Sequence, residues 1–236
     1  MSWRTALALV IARAQKGWQA LTPRRRQIVV AALLVVLALL ISAARAGEVR
    51  IPEASLRYRR ALEQAAGEQF GLNAPVARLA AQIQTESAWR PTARSLYAEG
   101  LAQFTPATAR WLPQICPHVG RPDPWDPGWS IRAIACYDHA LHADMRPRHA
   151  AALDRCSAWA FTLSAYNGGE GWLDRDRRLA AQSGVDPDRW FGEVATINAG
   201  RSRSAWIENR SYPRGILLRV EPAYLAAGWP GRKACT

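Results

Sequence analysis

Residues 28–41 form a run of fourteen without a polar side chain, and Ser42, Ala43 and Ala44 bring the stretch to seventeen. At about 1.5 Å per residue, a helix of that length reaches the lower end of what spans a bilayer core. Arg4, Arg13, Lys16, Arg24, Arg25 and Arg26 precede it with no acidic residue among them. The positive-inside rule holds such a flank in the cytoplasm and exports the chain beyond the apolar run. The sequence therefore predicts three parts: a basic cytoplasmic segment (1–26), a transmembrane signal-anchor or signal peptide (27–46), and an exported domain (47–236). Ala44-Arg45-Ala46 before Gly47 fits a small-x-small cleavage site, but the stretch before the apolar run is long for a signal peptide and favours an anchor. Trp3, Leu7, Val10, Ile11 and Trp18, set among basic residues, have the pattern of a helix lying on the inner membrane surface. The expected location is the bacterial inner membrane, with the domain in the periplasm or released after cleavage near Ala46.

Topology changes the meaning of the net charge of +12. Positions 1–50 hold eight basic residues and one acidic, so the remaining chain is 23 minus 18, or +5. That balance suits an anionic surface such as a cell wall. It does not point to nucleic acid, since the exported part has no basic run after Arg60, no zinc-finger spacing and no RNA-binding aromatic motif. Cys116, Cys136, Cys156 and Cys235 are even in number and contain no C-x-x-C pair, which fits two disulfides in an oxidising compartment. Three connectivities are open, and joining Cys156 to Cys235 would tie the C-terminal tail to the core. His139 and His142 are three apart beside Asp138, yet no third ligand has metal-site spacing, so neither metal nor cofactor is expected.

The exported part is long enough for one core. Helical patterns recur at 56–70, 75–89, 106–112, 129–145, 150–166, 171–181 and 212–227, and no segment alternates convincingly as a strand. The expected class is mainly α. Pro113, Pro117, Pro122, Pro124 and Pro127 predict a structured loop over 112–129. Trp111, Trp125, Trp129, Trp172 and Trp190 have faces that can stack on a sugar, although burial of an indole in the core is the commoner use.

One position in these helices does not fit a packing role. Val76, Leu79, Ile83 and Glu86 follow spacings of three, four and three residues, which place them near one stripe of a helix. A carboxylate on an inward stripe is penalised when ionised, so its pKa rises and a proton stays available near neutral pH. Glu86 is a general-acid candidate. The alternatives are a buried pair with an arginine, or a rotation of the side chain to solvent.

The residues downstream of Glu86 resemble a known family. Glu86-Ser87-Ala88-Trp89-Arg90-Pro91 is succeeded by Ser95, by Gly100-Leu101-Ala102-Gln103-Phe104-Thr105-Pro106, and later by Ala165-Tyr166-Asn167-Gly168-Gly169. In order and type this series resembles the soluble lytic transglycosylase (SLT) family of the lysozyme-like superfamily, over residues 54–224. The resemblance implies a lysozyme-like helical domain that cleaves peptidoglycan glycan strands, with Glu86 as sole catalytic acid. It implies substrate contacts from Ser95, Gly100, Leu101, Gln103, Tyr166 and Asn167, with Tyr166 approaching Glu86. Glu208 and Tyr212 fall in a late segment similar to Glu-Thr-Arg-x-Tyr, with Asn209 in place of Thr. Ala102 stands where the family has Met, the loop from Glu86 to Gln103 is one residue shorter, and Ser130 replaces Asn in the helix-opening segment Asp126-Pro127-x-x-x-Ile131.

The implied reaction needs no second carboxylate. The MurNAc–GlcNAc β-1,4 bond breaks as Glu86 protonates the leaving oxygen, and the substrate's own C6 hydroxyl closes a 1,6-anhydro ring. Two other classes stay in view: a lysozyme-type hydrolase, which needs a second acid near Glu86 with Glu99, Asp123 and Asp126 as candidates, and a non-catalytic wall-binding scaffold. The extended Ala-Tyr-Asn-Gly-Gly-Glu-Gly-Trp stretch, Cys156 and the apolar anchor also resemble phage endolysins that begin as membrane-tethered enzymes.

Overall fold

The computed structural model of the chain describes residues 49–235, together with Thr22, Pro23, Gln27, Val29, Val30 and Ala32. The chain divides into two compact units, residues 1–48 and 49–236. In the first, Pro23, Gln27, Val29, Val30 and Ala32 are helical. The expected membrane span lies largely outside the described residues, among which no helix is long and apolar enough to cross a membrane.

The second unit is mainly helical and, among its described residues, has only isolated bridges in place of strands. Its helices are α1 (Ala54–Phe70), α2 (Val76–Ser87), α3 (Pro106–Trp111), α4 (Pro127–Asp144), α5 (Arg155–Gly168), α6 (Glu170–Gln182), α7 (Arg203–Gly215) and α8 (Glu221–Ala226). Local chemistry sets where most of them begin. Thr105 accepts from the Thr108 amide with Pro106 at the first helical position, Asp126 accepts from Gly128 and Trp129, and Asp154 accepts from Ser157. Each side chain satisfies amides that a helix start leaves without partners. The Asp154 cap explains why α5 begins five residues later than hydrophobic periodicity alone suggests.

The predicted C-terminal helix over 212–227 starts earlier, at Arg203, behind the Ser202 cap. Pro213 lies inside α7, and a π-helical turn, Ile216–Val220, connects α7 to α8. Proline removes an amide donor from the helical ladder, a local defect of the kind at which helices change pitch.

α2 lies at the centre, packed against α1, α8 and the π turn, while α5 packs against α4, α6 and α7. Leu62, Leu79, Ile83, Leu101, Leu112, Ile131 and Phe161 are essentially inaccessible. Burying each contributes about 1.5–3 kcal/mol relative to leaving it in water.

The four cysteines form two disulfides, Cys116–Cys136 and Cys156–Cys235, with sequence separations of 20 and 79 residues. The second ties the C-terminal tail to α5, the connection that the sequence singled out among the open pairings. Closing a loop of that length costs the unfolded state about 4.5 kcal/mol of entropy in the chain-entropy account.

Candidate active site

α2 stops abruptly at Ser87, one residue past Glu86, and two residues bear the cost. Ala88 and Trp89 both take positive φ, 51° and 63°, and the Ala88 amide returns to the Gln84 carbonyl. Side chains other than glycine disfavour this region by about 1 kcal/mol or more per residue. Trp89 offsets that through its burial: its indole N–H donates to the Tyr224 hydroxyl at 2.6 Å, and its ring stacks on Tyr58 with centroids 6.0 Å apart. The anchor fixes the last turn of α2, and with it the direction of Glu86.

Val76, Leu79 and Ile83 are buried, while Glu86 is half-buried on the wall of a cleft of about 800 Å³. No arginine pairs with it among the described residues. Its partner is Tyr212 on α7, whose hydroxyl donates to Oε1. Among the described residues no bond reaches Oε2, which leaves that oxygen for a ligand. Burial pushes the Glu86 carboxyl up to about 7; the Tyr212 hydrogen bond opposes this and the charge of Glu208 adds to it. The carboxyl can therefore give up a proton and take one back near neutral pH.

Two opposing effects on one carboxyl give a test. Tyr212→Phe removes a hydrogen bond that favours the carboxylate, so Glu86 should titrate about one pH unit higher. Carbon-13 NMR of labelled glutamate checks this, and an unchanged or lower value would contradict the role given to Tyr212.

The other expected residues are placed unevenly. Ser95, Gln103, Tyr166, Asn167, Glu208 and Tyr212 line the same cleft as Glu86. Gly100 and Leu101 do not. Leu101 is wholly buried, and Gly100, at φ 78°, abuts the Pro124 carbonyl so closely that a Cβ would lie 1.7 Å from its oxygen. They shape the loop from behind. Ser130, the residue in place of the family's Asn, holds the same Pro124 oxygen at 2.8 Å.

Hydroxyl and amide groups expected to face substrate are also partly committed to the protein. Ser95 Oγ accepts from the Tyr97 and Ala98 amides, closing a turn. Gln103, at φ 49°, donates its amide to the Ala93 and Gly100 carbonyls, so Oε1 is the atom left to meet a ligand. Tyr166, expected to approach Glu86, donates to the Ala102 carbonyl at 2.7 Å, and the hydrogen bond to Glu86 comes from Tyr212. Tyr166 instead forms the floor of the cleft with Phe104 and Tyr137, ring centroids 5.7 and 5.5 Å away. Among the tryptophans, Trp129 and Trp190 are core residues, whereas Trp111 and Trp125 stay partly exposed.

Sequence reasoning missed Tyr97, Phe104 and Tyr137 as lining residues. Phe104 and Tyr137, far apart in sequence, meet with ring centroids 6.3 Å apart only because α4 comes against the 91–104 loop. It also missed the character of Asp138, which is completely buried beside Gln82. Burial raises its pKa to about 8, so it is a neutral acid at neutral pH. No hydrogen-bond signal in the sequence marks it, because Gln82 lies on another helix.

Of the carboxylates considered as a second acid, none lines the cleft. Glu99 lies near Arg94 at 3.9 Å, Asp123 accepts from the Trp125 amide, and Asp126 caps α4. Besides Glu86, Glu208 is the acidic side chain that lines the cleft among the described residues.

Comparisons with known proteins bear on the family of the chain. A family model described as the transglycosylase SLT domain matches residues 62–188. The chain is 34% identical over 150 residues to a membrane-bound lytic murein transglycosylase F of Pseudomonas fluorescens (strain Pf0-1), covering 63% of this chain and 28% of that protein. It is 32% identical over 172 residues to the protein of the same name from Stutzerimonas stutzeri (strain A1501), covering 72% and 32%. For that of Maricaulis maris (strain MCS10) the identity is 39% over 144 residues, covering 61% and 28%. The chain thus spans about a third of the length of these curated relatives. With a family match extending over more than half of its length, the chain belongs to the transglycosylase SLT family.

Proposed function

We propose that this protein is a peptidoglycan lytic transglycosylase, tethered by residues 28–44 to the inner membrane with its domain in the periplasm. The observation that carries the reading is a single carboxyl, raised to about 7, with one oxygen held by a tyrosine and the other open to a cleft. Protonated Glu86 gives its proton to the oxygen between MurNAc and GlcNAc, and the C1–O bond breaks as positive charge grows on the MurNAc ring. The resulting carboxylate then takes the proton of the C6 hydroxyl as that oxygen bonds to C1. One proton leaves Glu86 and one returns; no water is consumed, and the new end is 1,6-anhydro-MurNAc. Gln103 Oε1 and Asn167 supply polar contacts at the cleft wall, and the floor of Phe104, Tyr137 and Tyr166 offers faces to the sugar rings.

Glu208 favours one second reading, a hydrolase in which it activates water. The products separate the two. Mass spectrometry of fragments released from sacculi by the full chain should show anhydro ends, each lighter by one water than a reducing end. Reducing ends alone would establish the hydrolase, and no release would support a wall-binding scaffold.

A further inference from the structure

α2 carries Glu86 in its last turn, but no side chain caps its start, since Pro75 before Val76 has no polar group to offer. A helix start leaves amides without partners, and here a segment from far along the chain supplies one. The Pro230 carbonyl accepts from the Ala77 amide at 2.8 Å. Next to it, Arg78 is 2% exposed and paired with Glu221 at 2.6 Å, and the same nitrogen donates to the Arg232 carbonyl at 3.0 Å. The Ala234 amide reaches the other oxygen of Glu221 at 3.5 Å. Near the opposite end of α2, Trp229 packs on Trp89, the residue that anchors the turn beyond Glu86, with ring centroids 6.0 Å apart. Residues 229–235 thus touch both ends of the helix that holds the carboxyl.

This segment forms neither helix nor strand, and Pro230, Gly231, Arg232 and Lys233 are exposed. Fixing residues 230–235 costs more conformational entropy than the hydrogen bonds at Pro230, Arg232, Lys233 and Ala234 offset after exchange with water. What holds the segment in place is the Cys156–Cys235 bridge, which fastens its far end to α5.

We propose that residues 229–235 are a strap that positions Glu86, and that closure of Cys156–Cys235 completes the active site, an inference that rests on the catalytic reading above. Arg78, Gln82 and Glu86 succeed one another at intervals of four along one side of α2, so a tilt or slide at Arg78 is carried to the carboxyl. Misplacing a reacting group by about 1 Å can cost about 10²-fold in rate. On closure each thiol gives up one proton and one electron as the S–S bond forms. The oxidant is the disulfide of a thiol–disulfide oxidoreductase, which takes up both pairs and opens to two thiols. In a reducing compartment the strap is unpinned and the carboxyl poorly placed; in an oxidising one it is seated.

Cys156→Ser with Cys235→Ser removes the pin but also a stabilising cross-link. A second variant keeps the bridge: two glycines inserted between Arg232 and Lys233 slacken the strap while both its ends stay fastened. Each variant, assayed where circular dichroism shows the helix content of the parent, should lose about tenfold or more in kcat on glycan strands, with KM changed less than about twofold. A glycine-insertion variant with the kcat of the parent would overturn the inference. In a series of thiol–disulfide buffers, activity of the full chain should fall as Cys156 and Cys235 become open to alkylation, and activity that persists after both are alkylated rejects the strap.

Titration of Glu86 in the glycine-insertion variant, followed by carbon-13 NMR, is independent of turnover. Burial holds this carboxyl at about 7. A loosened α2 admits water, so the midpoint should fall by about one unit, and an unchanged midpoint speaks against the strap decisively. A parent chain that cleaves nothing, paired with a variant that shows this fall, would defeat the catalytic reading and keep the strap.

Discussion

Glu86→Gln should abolish release of anhydro-muropeptides, a loss of about 10³-fold or more, because the amide has no proton to donate and cannot accept one back. The same variant should be more stable than the parent above neutral pH. In the folded chain Glu86 titrates at about 7, against 4.5 for the unconstrained side chain. The folded state therefore binds more protons than the unfolded between those values. The contribution of Glu86 to stability is fully present below about pH 4.5 and is lost as pH rises through 7. A cleft that admits solvent moderates the effect, so the penalty relieved by Gln is on the order of 2 kcal/mol. Tyr212 still finds an acceptor in the amide oxygen, which keeps the geometry. Turnover by the variant, or a urea midpoint at pH 8 below that of the parent, would contradict this account.

Asp176→Ala should cost about 3–5 kcal/mol, because it breaks a buried cluster of one carboxylate and two guanidiniums. Asp176 accepts from the Ala199 amide and faces both Arg201 and Arg210. Removing it leaves two buried cations without an anion and one part-buried amide without that acceptor. The damage should reach the cleft: Arg210 donates to Asn209, and Asn209 donates to Asn167 at 3.1 Å and to the Ser164 carbonyl. Urea denaturation followed by circular dichroism measures the loss. A change below about 1 kcal/mol would mean that water enters and replaces the carboxylate.

Asn209 shows what a family pattern carries and what it leaves out. It occupies the position at which the resemblance expects Thr, and the structure uses its longer side chain to bridge α7 to the end of α5. Asp126 and Thr105 show the opposite case, since each acts on amides two or three residues away and was readable as a helix start. The Glu86 stripe was readable for the same reason: helix periodicity is a local property. Gly100 and Leu101 were assigned by order to the groove, yet the loop turns them away from it, against Pro124 and into the core.

By itself, the sequence determined a helical domain, a catalytic candidate on an apolar stripe and four cysteines suited to two bridges, because spacing along one helix and residue chemistry suffice for these. Only the tertiary structure decided that Tyr212 rather than Tyr166 holds Glu86, that Asp138 is a buried neutral acid, and that Arg201 and Arg210 share the buried Asp176. Each of those depends on which atoms from distant helices come within hydrogen-bond reach and on how much water remains there. Burial and through-space distance set a pKa or an ion pair, and neither is a function of position along the chain.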